Sequence, residues 1–537
     1  MDLLIQELEW ESDNMEKNLN TLDDTLFEFA QKDQKITDTK ITTKRIGYFK
    51  DAFYRFCRNK SSIAAACIII LLILFAIIAP IAGKTNYTET RNDNNINLFS
   101  KLLPRVGIFE GSGFWDGTIE REISENRYNQ LLAYAAETGE KPIAKIKRSY
   151  MQGGSKYYVI RYDSYQGMGM KYISITQDQY NDIQKYQNEH DMQIIYPVAD
   201  FQAIINELNK TRPANMQYKL TDIPDATKQN AEIWYLCSIK GIPVVDSKGN
   251  FKAMYKTSAT SAEEYQSKRI AGDDGTYVYG DKSGALGYTV RVSLYNYFIY
   301  LYGYEPSFIF GTDDTGYDIF TRLASGARLS LILGFCVAII NLIIGAMYGS
   351  VSGYFGGRTD LIMERITDIL GNIPFMIVAT LFQLHLREKV GAFPSLLFAF
   401  VLTGWIGTAS TVRMQFYRYK NQEYVLAART LGAKNGRLMF KHILPNALGT
   451  IITSSVLVIP GVIFSESSLT YLGIVNLESD SITSVGTMLA HGKNYLNTYP
   501  HIILFPALFI SLLMITFNLF GNGLRDAFNP SLRGTED

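Results

Sequence analysis

The segment Gly311-Thr-Asp-Asp-Thr-Gly316-Tyr317-Asp318 has the glycine spacing of a loop that cradles phosphate. Tyr317 and Asp318 stand where such a loop needs Lys and Ser or Thr, and its carboxylates would repel a phosphate. Nucleotide binding there is excluded. The chain has only five histidines, and no Ser-His-Asp or paired-carboxylate site can be assembled from its sequence. Cys57, Cys67, Cys237 and Cys336 include no C-x-x-C pair and no Cys/His cluster, which excludes a zinc or redox centre. They read as small buried hydrophobes. Only Cys237 lies in the polar middle of the chain, so that region has no internal disulfide. Asp368 and Glu466 stand at the edges of apolar runs and read as helix-end or ion-pair residues rather than a charge relay. The chain thus carries no energy source of its own, and any ATPase must be another polypeptide.

One polar segment carries more information. From Glu423 to Asn446 the sequence reads as a short helix, a break at Gly432 and a second short helix ended by Pro445. Ala427, Ala428 and Gly432 are small enough for another surface to approach closely. Leu438, Met439 and Phe440 form an apolar knob among basic residues. Such a helix-turn-helix suits a lever docked in a partner's groove. An interfacial amphipathic connection fits it equally well.

The elements that position this segment are membrane spans. In 537 residues, Lys+Arg and Asp+Glu are both 52, so a globally basic nucleic-acid binder is excluded. Charge is unevenly spread. Residues 61–83 form an uncharged run long enough to cross ~30 Å of hydrocarbon at ~1.5 Å per residue. Further apolar runs cover 331–355, 369–386, 390–412, 443–465 and about 502–520. The first run follows Lys44, Arg45, Lys50, Arg55, Arg58 and Lys60, which keeps the N-terminus in the cytoplasm, and no cleavable signal peptide precedes it. Six crossings then place the C-terminus inside too. The connection between the fourth and fifth runs carries Arg413, Arg418, Lys420, Arg429, Lys434, Arg437 and Lys441 on the inner side. Arg387 and Lys389 fall outside, a mild conflict.

The same count puts 84–305 outside, as a domain inserted between spans one and two. This polar region holds 24 of the 35 tyrosines and reads as α+β. Helices are expected at 119–138, 176–190 (capped by Thr176) and 199–210. Strands are expected at 156–163, 231–240 and 251–256, the last two flanking a turn at 246–250, with an alternating aromatic stretch over 288–302. Its tyrosines read mainly as sheet and core residues, with a partner-binding face as the lesser reading. Residues 1–43 are polar and acidic, with helix-like apolar spacing at Leu19, Leu22, Leu26 and Phe29.

Several motifs, in chain order, resemble one family. They are Phe310-Gly-Thr-Asp-Asp-Thr-Gly316; Gly326-Ala-Arg-Leu-Ser-Leu331; Gly353-Tyr-Phe-Gly-Gly357 with Asp360; Asp368 with Pro374; Tyr424-Val-Leu-Ala-Ala-Arg-Thr-Leu-Gly432 followed by His442-Ile-Leu-Pro-Asn446; and Gly521-Asn-Gly-Leu-Arg-Asp526. Together they resemble the C-type permeases of the oligopeptide/dipeptide/nickel branch of bacterial ABC importers. The likeness covers about 40–83 and 305–531. The chain departs from the pattern at Tyr317 (usually Arg), Asn522 (usually acidic) and across 476–485, which lacks the usual Pro-rich, Trp-containing stretch.

The resemblance implies an α-helical membrane protein with six transmembrane helices of the type I ABC importer kind. It would comprise a cytoplasmic extension (1–43), a basic segment and first helix (44–83), the extracytoplasmic inserted α+β domain (84–305), the permease core (306–525) and a cytoplasmic tail (526–537). Its implied function is half of a peptide pathway, most directly for oligopeptides, with dipeptides or a nickel complex as alternatives. Implied partners are a homologous second permease, two cytoplasmic ATPase subunits, an extracytoplasmic solute-binding protein and membrane lipid, with no nucleic acid. No cofactor is expected on this chain; ATP and Mg belong to the ATPases. The implied coupling loop is 423–446. Glu423 and Arg429 would pair with partner charges, Ala427, Ala428 and Gly432 would allow close docking, Leu438, Met439 and Phe440 would fill the groove, and Pro445 would end the element. Gly311, Asp313, Arg328 and Glu466 would lie near the pathway or outer face. Export in place of import, or a surface receptor merely anchored by its spans, are the rival functions.

Overall fold

A computed structural model describes residues 48–82, 96–257, 264–266, 277–283, 287–478 and 483–528. Residues 1–53 form one unit and 54–537 a second. The expected extension 1–43, and the tail beyond residue 528, lie outside the described residues.

Helix α1 (Tyr48–Arg58) precedes α2 (Lys60–Ala82), the first apolar run. The inserted segment follows with β1 (Thr118–Ser124), α3 (Glu125–Thr138), β2 (Ile143–Gln152), β3 (Ser155–Asp163), β4 (Met170–Thr176), α4 (Gln177–His190), β5 (Ile195–Tyr196) and α5 (Phe201–Asn209). It ends with β6 (Glu264–Gln266), β7 (Val278–Ser283), β8 (Gly287–Ser293) and α6 (Leu294–Tyr302). The bundle resumes with α7 (Ile319–Phe355), α8 (Gly357–Gly371), α9 (Phe375–Val390), α10 (Ala392–Tyr419), α11 (Glu423–Thr430), α12 (Leu444–Val456), α13 (Val458–Tyr471), α14 (Val485–Gly492) and α15 (His501–Phe528).

The pairing of α7 with α10 sets the topology. Gly345, Gly349 and Gly353 make a three-glycine stripe at four-residue spacing, which lets two helix backbones touch. A Cβ on Gly345 would lie 2.7 Å from Thr408 Cβ, one on Gly349 2.8 Å from Val412 Cβ, and one on Gly353 2.7 Å from Phe416 Cβ. Contacts that advance together along both chains mean that the helices run parallel. The chain must therefore cross back between them, and only α8 and α9 are available. They bend by 71° at the break before Pro374. The expected straight span over 369–386 is thus a broken pair. Pro374 explains the break, because its ring cannot continue a helix past the preceding turn.

The other helices alternate in direction. Gly334 of α7 meets Ile459 while Ser330 meets Glu466, so α13 is antiparallel to α7. Ser62 lies against Gly523 and Phe75 packs on Phe509, so α2 is antiparallel to α15. Among the described residues five helices, with α12 and α13 counted as one, are long and apolar enough to cross a membrane, or six if the bent pair counts as one span. The end of α7 and residues 419–443 share one end of the bundle, where Tyr354 Oη donates to Asn435 Oδ1 at 2.8 Å. The starts of α7 and α15 lie at the other, and there the inserted segment leaves and returns. Cys57 and Cys67 are exposed and Cys336 half-buried, so of the four cysteines only Cys237 is a buried hydrophobe. Cys67 sits in a helix that is apolar around its whole circumference and so has no inward face to reserve for it.

The inserted segment holds helices and two antiparallel sheets, ordered β1-β3-β2 and β4-β8-β7-β6, with β5 also pairing with β8. Thr176 caps α4 in a capping box, and Asp200 caps α5. Tyr134, Tyr165, Tyr180, Tyr235 and Tyr279 are buried core residues. At the centre, Arg291 makes two bonds to Glu137, of 2.6 and 2.5 Å, and one to Pro197 O at 3.0 Å. Three local expectations fail. Residues 118–124 are a strand, because the helical period starts only after the Ser124 cap. The aromatic stretch at 288–302 is strand β8 and then helix α6, turned by the Ser293 cap. Residues 231–256 form isolated bridges about the Asp246 turn rather than full strands.

Gly349→Leu should push α7 and α10 apart and destabilise the chain by about 1–3 kcal/mol or more. The measurement is thermal unfolding of the purified transporter in detergent; an unchanged midpoint contradicts the backbone-contact account.

Candidate functional site

The segment 423–446 lies at one end of the bundle as a hairpin anchored from within. Helix α11 ends in a turn in which Gly432 takes φ +85°. Its N–H bonds Arg429 O at 2.9 Å, and Ala433 N–H bonds Ala428 O at 3.1 Å, closing the helix end. One helical turn (Asn435–Arg437) and a widened turn (Leu438–Ile443) then run directly into α12. Pro445 sits in the first turn of α12, so it begins a helix instead of ending one, as its missing N–H allows.

The burial pattern corrects the docking set. Leu438 is 0% exposed and Met439 4%, packed with Val412, Phe416, Val425, Ile443 and Ile451. These two residues fasten the hairpin to α10 and α12 and cannot fill a partner's groove. Phe440 is exposed, as expected of a groove-filling residue. Glu423, Ala427, Arg429 and Gly432 also face outward, and Ala428 is half-buried. The most exposed apolar side chain of the hairpin is Leu431, at 88%. Sequence reading passed it over, although an apolar residue just before a left-handed glycine is the available signal.

Beneath the hairpin, Asp360 of α8 binds α7 and α10 together. Arg413 Nε and Nη2 reach its two oxygens at 2.5 and 2.6 Å, Tyr417 Oη donates at 2.7 Å, and Ser352 Oγ also donates. Arg413 also meets Glu364 at 3.1 Å, and Lys420 Nζ donates to Gly353 O at 3.0 Å. Asp368 is exposed at the end of α8 and pairs with Arg365 at 3.2 Å.

The opposite end carries a second charged cluster. Asp313 accepts from Thr315 N at 2.9 Å and Tyr317 N at 3.0 Å, folding the turn that follows Gly311, whose φ is +78°. Arg322 pairs with Asp313 and, at 2.6 Å, with Glu478. Its guanidinium lies 4.6 Å from the Tyr317 ring centre, which gives the unusual Tyr317 a cation–π role. His491 bonds Glu478 at 2.7 Å and lies 3.4 Å from Asp314. These carboxylates, Asp314 first, push the His491 pKa up to about 10. Burial would raise Asp314, but His491 holds it below the usual carboxylate range, as it does Glu478. Arg322, Glu478 and His491 were not legible as a site, because their partners are distant in sequence. Within the bundle Glu466 is fully buried, taking bonds from Ser330 at 3.0 Å, Ser467 at 3.3 Å and Thr470 at 3.3 Å. That arrangement ties α7 to α13 and is structural. Arg328 is exposed in the third turn of α7. Among the described residues no group of His, Cys, Asp and Glu could hold a metal ion.

The His491 cluster has a defined pH range. Raised above the ordinary ~6.5, the His491 contribution is complete below that value and fades as pH climbs through about 10. The lowered carboxylates add stability above about pH 4 that is lost on acidification. Protection factors for hydrogen exchange over α14 should therefore be highest between these limits and fall on either side. His491→Gln should speed exchange at neutral pH and remove the alkaline step. A variant with the wild-type alkaline profile contradicts the assignment.

Residues 343–534 match the family described as the binding-protein-dependent transport system inner membrane component, and 47–104 match the N-terminal transmembrane domain of oligopeptide transport permease C. The oligopeptide transport system permease protein OppC of Bacillus subtilis is 48% identical over 42% of this chain and 72% of its own length. The dipeptide permease DppC of the same organism is 43% identical over 42% and 69%. The OppC protein of Escherichia coli is 36% identical over 43% and 74%. The chain belongs to the oligopeptide and dipeptide permeases of binding-protein-dependent ABC transport systems, as a multi-pass inner-membrane subunit that is not itself an enzyme.

Proposed function

We propose that this chain forms one half of the pathway of an ATP-driven importer of peptides, oligopeptides first and dipeptides as the nearest alternative. The hairpin 423–446 carries the reading: an exposed, cation-flanked helical turn set rigidly on the bundle, at the end opposite the inserted segment. Its basic residues favour a cytoplasmic position, with both termini on that side and 84–305 outside. A homologous permease would complete the pathway. Two ATPase subunits holding ATP and Mg would seat the hairpin, and a solute-binding protein would deliver ligand at the other face.

In this reading Ala427, Ala428 and Gly432 let a groove wall approach, Leu431 and Phe440 enter it, and Glu423 and Arg429 meet partner charges. Closure of the ATPases on ATP would push the hairpin. The buried Leu438–Ile443 turn would pass that push to α10 and α12, and the Asp360 clamp would carry it to α7. Asp313 and Gly311 would shape the outer mouth, with Arg328 beside it. The inserted domain would be a docking module for the binding protein or the sister permease.

Leu431→Asp should lower ATP-dependent peptide uptake about tenfold or more, since an interface anchor supplies about 2 kcal/mol. Gly432→Trp should act likewise: nothing of the chain's own lies within 4 Å of its Cβ, and at φ +85° the new side chain also strains the turn. Membrane insertion should be normal in both; uptake equal to wild type sinks the lever assignment. Replacing 90–300 by a short linker should abolish binding-protein-dependent uptake, and unchanged uptake would make the domain a decoration.

A further inference from the structure

The loop 107–116 of the inserted segment is built to hold apolar side chains outward. Ile108 is 90% exposed, Phe114 64% and Phe109 37%. The loop is not slack. Val106 N–H bonds Trp115 O at 2.8 Å across its base, Gly113 N–H bonds Asp116 at 2.9 Å, and buried Asp116 is paired with Arg161 at 2.8 Å. Its chain passes through left-handed backbone at Gly111, Gly113 and Trp115. For Trp115, at φ +53°, that conformation costs about 1–2 kcal/mol, which the surrounding contacts must offset.

The strained residue fixes the height of the loop. The Trp115 ring stacks on Phe505 with centres 6.0 Å apart, and on Phe310 at 6.3 Å. Phe505 lies in the first two turns of α15, where Leu504 and Leu508 are exposed beside it. Phe310 in turn meets Phe320 at the start of α7. The loop tip is therefore level with the outer ends of membrane-spanning helices and continuous with their exposed apolar surface. The neighbouring groups have the composition of a membrane interface: Lys101 lies over Tyr495 at 4.5 Å, and Arg121 over Tyr499 at 5.3 Å. The one carboxylate of the tip, Glu110, is paired with Arg105 at 3.0 Å, so no unpaired charge opposes burial in the headgroup layer.

We propose that the loop 107–116 is a membrane-interface anchor, with Ile108, Phe109 and Phe114 seated at the headgroup–acyl boundary of the lipid leaflet on the side of the inserted domain. The anchor holds that domain over the ends of α7 and α15. The inference needs the membrane spans but not the peptide cargo.

The test is photocrosslinking in native membranes with the whole transporter. Phe114→p-benzoylphenylalanine and Ile108→p-benzoylphenylalanine each place a reactive ketone at the tip, and Lys248→p-benzoylphenylalanine places one on the Asp246 turn as control. All three side chains are exposed, so folding should survive, and two tip positions keep the result readable if one variant is not made. Irradiation should give lipid-mass adducts from positions 108 and 114 and none from 248. Crosslinks from 108 and 114 into another protein chain, such as a second permease, would overturn the proposal, as would the absence of lipid adducts. The readout does not depend on uptake, so its failure is distinct from failure of the import reading.

Discussion

Backbone contact between α7 and α10 is the constraint on which the rest of the molecule depends. Three glycines at four-residue spacing remove the side chains that would hold the axes apart, so α7, the longest helix, and α10 lie parallel and close. A parallel pair cannot be joined by a short turn. The chain must return across the bundle between them, and this makes α8 and α9 a crossing despite their bend. Sidedness follows: the start of α7 and the start of α10 share one end, and the hairpin after α10 falls at the other. Had α7 and α10 been antiparallel, the hairpin and the inserted segment would share a face.

The charges inside this frame are arranged to hold helices rather than to move ions. Asp360 with Arg413, Arg322 with Asp313, and Glu466 with its hydroxyls each join at least two segments. Buried ion pairs contribute little net stability against apolar packing, yet removing one partner is costly, so such pairs favour one geometry over nearby alternatives. That property suits the proposed transmission of a push through the bundle without its helices sliding. The clamps stand at the two ends of α7, where the glycine stripe alone would leave it free to slide.

The sequence made the six apolar runs legible because hydrophobicity over twenty residues is a property of the run itself. Thr176 announced its helix for the same reason: an N-cap signal is local. The bend before Pro374 was only half legible, since proline marks a break but packing against neighbours sets its angle. Leu438 and Met439 were misread as an exposed knob. Nothing local distinguishes an apolar side chain facing a partner from one facing the chain's own Val412 and Phe416. The Arg413–Asp360 clamp joins residues 53 positions apart and leaves no local trace.

Burying Leu438 and Met439 changes what the hairpin can be. A knob that left its own bundle to fill a partner would be soft, free to rock without moving the helices. With those two side chains embedded between α10 and α12, displacement of the exposed rim at Leu431 and Phe440 must displace the roots as well, because a packed core resists compression and transmits strain. The widened turn at Leu438–Ile443 then has a purpose: it rotates the chain so that Met439 points inward while Phe440, one residue on, points out. The rim offers contact, the root offers stiffness, and Asp360 hands the motion to α7. Under the proposed orientation, this is how a push from one side of the membrane reaches helices whose far ends carry the inserted domain.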